Sequence, residues 1–346
     1  MKFLRDLKPE NINGKKVVVR LDLNVPVEYS IVQDDFRIIS SLKTLKFIHS
    51  NGGKIIIISH CEANKGELCD LTAATAELKK HFPDADIEVR PNLRENAGEK
   101  ENSETFAQEL AALGDVYVND AFSVSHREHA SIVGVPKLLP SYAGFQLEKE
   151  ITNLEKAFDP AHPFVFILGG AKFETKIPLI EKFLDKADTV FVGGALANDL
   201  LKAGGVDVKN SFVSKSSSNE VLDLSKYVNH PKIIPVTDVV WNESNDMIMD
   251  IGPETIERLC EKIKEAKFVV WNGPLGFTEK GFDAATKRVA QAITESGAES
   301  IIGGGDTLAA LKDSGYLENF TFVSTGGGAT LDFLANGTLV GIGALK

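Results

Sequence analysis

The sequence contains few of the residues that cross-link a protein covalently or anchor it in a membrane. Its three cysteines, Cys61, Cys69 and Cys260, form neither a Cys-x-x-Cys pair nor a Cys/His metal spacing. We therefore expect no disulfide framework and no zinc site, and we expect the protein in the reducing cytoplasm. No apolar run approaches the ~18 residues of a membrane span, and the charged N-terminus lacks the apolar segment of a signal peptide.

The sequence also has fewer basic than acidic residues. The 346 residues include 38 Lys and Arg against 49 Asp and Glu, so the formal net charge is −11. Nucleic acids and membrane surfaces both require a wide basic face, and we therefore expect neither as a partner. An anionic small molecule must instead be held by a local cluster of basic side chains. Nothing in the sequence requires a second chain, so we expect a monomer.

The common nucleotide-binding motifs are also missing. The chain has no P-loop, and its two triple-glycine stretches do not fit G-x-G-x-x-G, because Leu308 and Leu331 stand where the third glycine belongs. In both stretches, residues 300–307 and 320–329, an apolar run ends in three glycines and leads into a helical pattern. Such turns place backbone N–H groups at a helix start, where the dipole favours an anion. Two copies favour phosphate binding over plain turns with Asp306 as an ordinary N-cap.

Short β-rich runs alternate with amphipathic helical patterns along the whole chain, which predicts parallel sheets covered by helices. The predicted strands are residues 16–24, 54–60, 86–92, 115–120, 164–168, 189–192, 232–240, 267–271 and the two glycine-ended runs; the predicted helices are residues 35–50, 71–82, 104–113, 177–187, 284–296 and one that begins at residue 253. We predict an α/β protein of two doubly wound, Rossmann-like domains, residues 1–150 and 151–335. They are joined by a hinge helix over residues 144–158, and residues 211–219 form a polar loop.

Ligands of open α/β sheets bind beyond the carboxyl ends of the strands, and these positions are polar here. Those of the first half are Asp22, Asn24, His60, Arg94, Asn119, Asp120, His126 and Arg127, with Arg37 at the start of the first helix. Six of the eight arginines precede residue 130. A guanidinium fork binds phosphate or carboxylate bidentately, so Arg37, Arg94 and Arg127 favour an acid-binding site over surface ion pairing.

In the second half, Lys172 and Lys176 follow a predicted strand and are four residues apart. On a helix start this spacing stacks two ammonium groups on one face, which is unfavourable by a few tenths of a kcal/mol unless an anion lies between them. The pair therefore indicates a polyphosphate ligand. Asn272 and Glu279, which follow the predicted strand 267–271, are ordinary loop residues by themselves.

Together these stretches resemble the phosphoglycerate kinase family along almost the whole chain. The matching segments are residues 19–26 (VRLDLNVP), 34–38 (DDFRI), 59–60 (SH), 92–94 (NLR), 114–121 (GDVYVNDA) with 126–127 (HR), 168–172 (LGGAK), 250–253 (DIGP), 270–276 (VWNGPLG), 303–307 (GGGDT) and 324–329 (STGGGA). The resemblance implies transfer of the acyl phosphate of 1,3-bisphosphoglycerate to ADP, after closure of two domains. The first domain, with the tail 336–346, would bind 3-phosphoglycerate, and the second would bind Mg-nucleotide.

The resemblance also implies roles for individual residues. Asp22, Asn24, Arg37, His60, Arg94 and Arg127 would bind the phosphoglycerate, and Arg37, Lys172 and Lys176 would act in catalysis. Asp306 would ligate Mg²⁺. The nucleotide would contact Lys172, Lys176, Gly193, Gly194, Asn272, Glu279, Gly304, Gly305, Asp306, Thr307, Gly326, Gly327 and Gly328.

The chain departs from the family pattern where the family usually has S-H-L-G-R-P-K-G. Residues 59–66 read SHCEANKG, so Ala63 replaces a phosphate-binding arginine and Glu62 adds a carboxylate. We expect activity to survive with a weaker phosphoglycerate site. Two alternatives remain: a nucleotide-dependent kinase of the same scaffold that acts on a different carboxylate, and a nucleotide binder without catalysis.

Overall fold

The computed structural model describes residues 1–62, 67–83, 85–214 and 223–345. The chain divides into two compact units, Met1–Thr152 with Asn336–Lys346 (unit 1) and Asn153–Ala335 (unit 2). Ala63 and residues 215–219 of the predicted polar loop lie outside the described residues. Within the described residues, no helix is long and apolar enough to cross a membrane.

The elements alternate as the sequence pattern predicts. The strands are β1 (Lys16–Arg20), β2 (Val27–Glu28), β3 (Ile31–Val32), β4 (Lys54–Ile58), β5 (Ile87–Val89), β6 (Val116–Asn119), β7 (Ser141–Ala143), β8 (Phe164–Leu168), β9 (Thr189–Val192), β10 (Val239–Trp241), β11 (Ile248–Ile251), β12 (Phe268–Asn272), β13 (Glu299–Gly303) and β14 (Phe322–Val323). The helices are α1 (Phe36–Ser50), α2 (Thr72–His81), α3 (Ala97–Lys100), α4 (Glu104–Ala111), α5 (Phe145–Glu155), α6 (Ile177–Lys186), α7 (Ala195–Ala203), α8 (Ser225–Val228), α9 (Pro253–Glu265), α10 (Ala284–Ser296), α11 (Gly305–Leu311), α12 (Gly328–Asn336) and α13 (Val340–Gly343).

The main sheet of unit 1 has the order β5-β4-β1-β6-β7, with every neighbouring pair parallel. Its central strands are apolar on both faces: the β4 sequence KIIII is buried after Lys54, and the β1 sequence KVVVR is buried after Lys16. Continuous burial of this kind is typical of parallel sheets that carry helices on both sides. The chain winds one way from β1 to β5 and the other way from β6 to β7. The carboxyl ends of β1 and β6 therefore border a topological switch point, where such folds bind ligands.

The sheet of unit 2 is also parallel, in the order β14-β13-β12-β8-β9. β8 and β12 are completely buried and adjacent, and the winding direction changes between them. This order corresponds to the flavodoxin-like variant of the doubly wound fold, whereas unit 1 follows the Rossmann order. The predicted α/β class with two doubly wound parallel sheets is confirmed.

Helix α9 shows how the sequence attaches a helix to this sheet. Pro253 occupies its first turn, where no backbone N–H is needed. Ile256, Leu259, Cys260 and Ile263 follow at helical spacing, and all four are buried in the unit 2 core. The opposite face is charged, as expected for an amphipathic surface helix.

The strand predicted over residues 232–240 is wrong. Ile233 makes only an isolated bridge to Val190, and β10 pairs antiparallel with β11 outside the main sheet. Pro235 cannot donate to a ladder, which limits pairing next to that bridge. Asp238 instead accepts hydrogen bonds from the N–H groups of Glu254 and Thr255, at 2.9 and 2.8 Å, and so caps α9.

The expectation of no disulfide is also wrong. Cys61 and Cys69 are bridged, with their Cα atoms 5.3 Å apart, while Cys260 is free and buried. The side-chain amide of Asn92 donates to the carbonyl oxygens of both bridged cysteines, at 2.6 and 2.9 Å. It therefore holds the two ends of the loop together. A pair spaced by eight residues matches no disulfide motif, so the sequence alone did not indicate the bridge.

Candidate functional site

The residues of unit 1 that the sequence predicts to bind the acid begin directly after β1. Arg37, in the first turn of α1, places its Nη1 atom 3.0 Å from Asp22 Oδ2 and 2.8 Å from the carbonyl oxygen of Asn24. The Ser123 hydroxyl also donates to Asp22. Burial acts to raise the pKa of Asp22, but Arg37 and the hydrogen bonds outweigh it and hold this pKa below its ordinary value. Asp22 therefore stays ionised and fixes the arginine.

His60 follows β4 and is almost completely buried. Its Nδ1 atom lies 3.1 Å from Nη2 of Arg20. A guanidinium only donates, so Nδ1 must accept, and the neutral ring carries its proton on Nε2. Burial, reinforced by the Arg20 charge, lowers the pKa of His60 to about 2. His60 can therefore serve as a neutral Nε2–H donor rather than as a cation.

Arg20 itself is part of a buried network that the sequence reading missed. Its Nε donates to the Ser131 hydroxyl at 3.1 Å, and that hydroxyl donates to Glu99 Oε1 at 2.6 Å. Tyr117 donates to the Ser131 carbonyl oxygen at 2.6 Å. The signal in the sequence was an arginine at the end of an otherwise apolar strand, a position where an unpaired charge is too costly to keep.

Arg94 lies in a short 3₁₀ turn after β5, and its side chain is only 2 % exposed. It forms an ion pair with Glu62, whose carboxylate also accepts from Lys100 Nζ at 2.8 Å. The N–H of Glu62 donates to Asn24 Oδ1 at 3.1 Å. Burial acts to raise the pKa of Glu62, but Lys100 and Arg94 hold it below its usual range. Glu62 is thus an ionised member of the cluster.

The structure brings the six residues predicted for the acid together on unit 1. Arg127 is exposed, yet its charge, like that of Arg94, acts on His60. Two other strand-end candidates have structural roles. Asn119 donates to the Ser125 hydroxyl, and Asp120 accepts from the N–H groups of Gln146 and Leu147 at the start of α5.

In unit 2 the loop after β8 contacts the end of β12 and the loop that follows it, at the switch point between these two strands. The N–H of Gly169 donates to the Asn272 carbonyl oxygen at 2.8 Å, and that of Gly170 to the Pro274 carbonyl oxygen at 3.2 Å. A Cβ atom on Gly169 would overlap the carbonyl oxygens of Gly273 and Pro274. Glycine is required here because two backbones touch.

The prediction that Lys172 lies at the start of a helix is wrong. Its φ of 66° lies in the left-handed region, and a 3₁₀ turn, Phe173–Lys176, separates it from α6. A lysine held there carries roughly 1–3 kcal/mol of strain, a feature that clusters at functional sites. Burial lowers the pKa of Lys176, with Asp332 of α12 opposing the shift and Lys172 adding to it. Lys176 therefore lies near α12, the helix that begins at the second glycine turn, and Lys172 lies near Lys176.

Residues from several loops of unit 2 line a cavity of about 290 Å³. Among them are Gly194, Glu279 and Asp306, together with the apolar side chains of Val239 and Met249. A cavity with apolar walls and a few polar groups is the usual form of a small-molecule site. The Gly193 backbone packs against Leu275, itself a lining residue.

The first triple-glycine turn meets the end of β12. The Thr307 hydroxyl accepts from the Gly273 N–H at 2.9 Å, and Gly304 has a φ of 97°. Nδ2 of Asn272 is buried and has no hydrogen-bond partner among the described residues. An unpaired buried donor is costly, so this amide is available to a ligand oxygen. In the second turn, Gly327 has a φ of 55°, Gly328 begins α12, and the Ala329 N–H donates to the Gly326 carbonyl oxygen.

One carboxylate is suitably placed for a divalent cation. Asp306 is exposed in the first turn of α11 and borders the cavity, whereas the Thr307 hydroxyl is already engaged. Mg²⁺ binds through one or two carboxylates with water and substrate phosphates rather than in an all-protein cage. An exposed carboxylate at the cavity is therefore a ligand of the kind that Mg²⁺ takes.

Two doubly wound units, one with clustered arginines and one with a cavity bordered by Gly170, Gly194 and Asp306, are typical of enzymes that act on phosphorylated small molecules. The sequence model of the family described as Phosphoglycerate kinase matches residues 4–90 and 70–337. The chain belongs to this family, whose members use ATP and ADP as substrates, and it is a kinase of glycolysis.

Individual relatives match from end to end. The phosphoglycerate kinase of Orientia tsutsugamushi (strain Ikeda) is 38 % identical over 393 aligned positions, covering 99 % of this chain and 97 % of its own. That of Dictyoglomus turgidum is 36 % identical, covering 100 % and 99 %. The solved structure from Coxiella burnetii has a TM-score of 0.85 at 32 % identity, covering 99 % and 98 %. Because 393 positions exceed 346 residues by 47, this chain has internal deletions relative to the Orientia protein.

Proposed function

We propose that this chain catalyses the reversible transfer of the acyl phosphate of 1,3-bisphosphoglycerate to ADP, giving ATP and 3-phosphoglycerate. The observation that carries the proposal is the arginine cluster at the strand ends of unit 1, in a chain whose other unit has a cavity bordered by Gly170, Gly194 and Asp306. Unit 1 binds the phosphoglycerate and unit 2 the nucleotide. Domain closure between them stays a prediction of the family resemblance.

In the acid site, Arg37, Arg94 and Arg127 supply the positive charge, and the Nε2–H of His60 donates a neutral hydrogen bond. Asp22 and Asn24 hold Arg37 at 3.0 and 2.8 Å and orient the acid. As the family resemblance implies, Arg37 meets the transferring phosphoryl group; its side chain is 34 % exposed and so accessible to a ligand, whereas that of Arg94 is nearly inaccessible.

In the nucleotide site, Lys172 and Lys176 neutralise the phosphates, and Gly326, Gly327 and Gly328 surround them with backbone N–H groups. Gly193, Gly194, Gly304 and Gly305 allow the ligand close to the main chain. The Asn272 amide donates to a phosphate oxygen, Glu279 binds the ribose, and Thr307 fixes the turn through Gly273.

Asp306 holds Mg²⁺, which supplies charge neutralisation on the nucleotide phosphates when it is bound. The remaining contribution of the protein is positioning. Phosphoryl transfer needs no covalent nucleophile, and holding the reactants in line can supply ~7–11 kcal/mol of the barrier.

A coupled assay with ATP, Mg²⁺ and 3-phosphoglycerate tests this proposal. We expect ATP-dependent turnover in the ~1–100 s⁻¹ range typical of kinases. Tight nucleotide binding without turnover on this acid would favour a kinase for another carboxylate, which Glu62 in the acid site makes the most reasonable rival. Nucleotide binding without turnover on any acid would leave only a non-catalytic binder.

We also propose that the protein acts in the cytoplasm as a monomer, on small molecules and not on nucleic acid. The net charge of −11 supports the last point, because a polyanion would be repelled. Light scattering at several concentrations tests the oligomeric state.

A further inference from the structure

The acid site of unit 1 contains an anion of its own. The Glu62 carboxylate pairs with Arg94 and accepts from Lys100 at 2.8 Å. Its backbone N–H is bound to Asn24 Oδ1 at 3.1 Å. Glu62 therefore contacts Arg94 and Asn24, two of the residues assigned to the substrate, and it also pairs with a second cation, Lys100.

Access to Arg94 is limited. Its side chain is 2 % exposed, that of Glu62 is 21 % exposed, and that of Lys100 is 54 % exposed. Among the described residues, Nη2 of Arg94 is buried without a hydrogen-bond partner. A guanidinium binds phosphate best through two parallel N–H donors. With Nη1 directed at Glu62, such a fork is not fully available to a ligand.

We infer that Glu62 is a specificity determinant of the acid site: its carboxylate occupies an Arg94 donor that a substrate phosphoryl group would otherwise use, and it repels dianionic groups. The inference rests on the proposed function, which assigns Arg94 to the phosphorylated acid. A phosphate monoester carries close to two negative charges near pH 7, and a carboxylate carries one. Coulomb repulsion grows with ligand charge, so the penalty falls on the phosphorylated acid more than on an acid without phosphate.

The test is isothermal titration of wild type and Glu62→Gln with two probes, 3-phosphoglycerate and glycerate. Glutamine keeps the shape of the side chain and removes its charge. We expect the substitution to lower the Kd of 3-phosphoglycerate about tenfold at low salt and that of glycerate less than about twofold. Because Glu62 is partly exposed, the gain should shrink at high salt.

Glu95→Gln is the matched control, since it removes the same charge from an exposed side chain one residue beyond Arg94. It should leave both Kd values within about twofold of wild type, because exposed charges are screened. Glu62→Asp retains the charge and should stay closer to wild type than Glu62→Gln. Equal gains from Glu95→Gln and Glu62→Gln would overturn the inference, because they would reflect net charge alone.

A purely structural Glu62, which only holds Arg94 in place, predicts the opposite sign. In that case Glu62→Gln weakens the binding of 3-phosphoglycerate, and the inference is overturned, as it is by an unchanged Kd. Thermal melting of each variant shows whether it is folded, and Glu62→Leu provides a second uncharged variant. If wild type turns over 3-phosphoglycerate and Glu62→Gln binds it no more tightly, only this inference fails. If wild type shows no turnover, both the proposed function and this inference fail.

Discussion

The two units would bind the proposed anionic ligands in different ways. Unit 1 uses side-chain charges that are already paired with internal carboxylates: Arg37 with Asp22, and Arg94 with Glu62. Unit 2 uses backbone at glycine turns, with Lys172 and Lys176 beside them. A ligand of unit 1 must compete with existing ion pairs, so charge and salt set its affinity. A ligand of unit 2 depends on backbone shape, which a single added methyl group can destroy.

The largest expected effect comes from removing Arg37, the arginine that we propose meets the transferring phosphoryl group. Arg37→Ala should lower kcat by on the order of 10³ or more, by analogy with arginines that meet a transferring phosphoryl group. Steady-state kinetics in the ATP-consuming direction measures it. Arg90→Ala, which deletes an arginine paired with Glu88 on the surface of the same unit, is the control. A loss below about tenfold for Arg37→Ala would remove Arg37 from catalysis and weaken the charge-based account of unit 1.

The corresponding change in unit 2 adds a methyl group. Gly169→Ala would push Cβ into the carbonyl oxygens of Gly273 and Pro274, and backbone cannot easily move aside. We expect destabilisation by about 3 kcal/mol or more, with loss of nucleotide binding. Gly305→Ala is the control for stability, because no atom lies within 4 Å of its added Cβ. Equal melting temperatures for the two variants would contradict the need for a bare backbone at the switch point.

The disulfide gives unit 1 a stabilising device of its own. Reduction of the bridge from Cys61 to Cys69, or its replacement by two serines, should destabilise unit 1 by about 2–3 kcal/mol, the entropy of a short closed loop. Denaturant unfolding with and without a dithiol, followed by mass spectrometry of the thiols, measures it. The control is Cys260→Ser, which removes the buried free thiol of unit 2 and keeps the bridge, so it should respond to the dithiol as wild type does. If reduction changes unit 2 instead, the bridge does not act locally.

The smallest expected effect is a pH dependence of stability, which has the same cause in both units. Burial raises the pKa of Asp120 in unit 1 and of Asp250 in unit 2 to about 6 in each case. These values lie above the pKa near 4 of an Asp in the unfolded chain. Ionising either carboxyl therefore costs free energy in the folded state. The free energy of unfolding should rise as the pH falls from about 6 to about 4, because the two groups become protonated in the folded protein first. Relative to Asp120→Asn, wild type should gain about 1–3 kcal/mol between pH 7 and pH 4.5. Urea unfolding of the Asp120→Asn and Asp250→Asn variants at both pH values tests it, and a constant difference would contradict the pKa shifts.

The sequence predicted the regular parts of this protein well. β8, β9 and α10 lie where the apolar pattern puts them, because continuous burial and helical spacing leave strong local signals. The region of residues 232–240 was misjudged, because Pro235 limits pairing there and Asp238 caps α9 instead. Family motifs pointed to the arginines of the predicted acid site and to Asp22, the partner of Arg37, but not to the other pairings. Glu62, Glu99 and Ser131 meet Arg94 and Arg20 only through tertiary contacts, which no local pattern encodes.

Both tryptophans of the sequence, Trp241 and Trp271, belong to unit 2. Trp271 is 1 % exposed, and its indole Nε1 donates to the Gly273 carbonyl oxygen at 2.8 Å, on the turn that approaches Gly169. Tryptophan emission therefore reports on unit 2, the unit that we propose binds the nucleotide. A titration with the phosphorylated acid would need an extrinsic fluorophore on unit 1 to be seen directly.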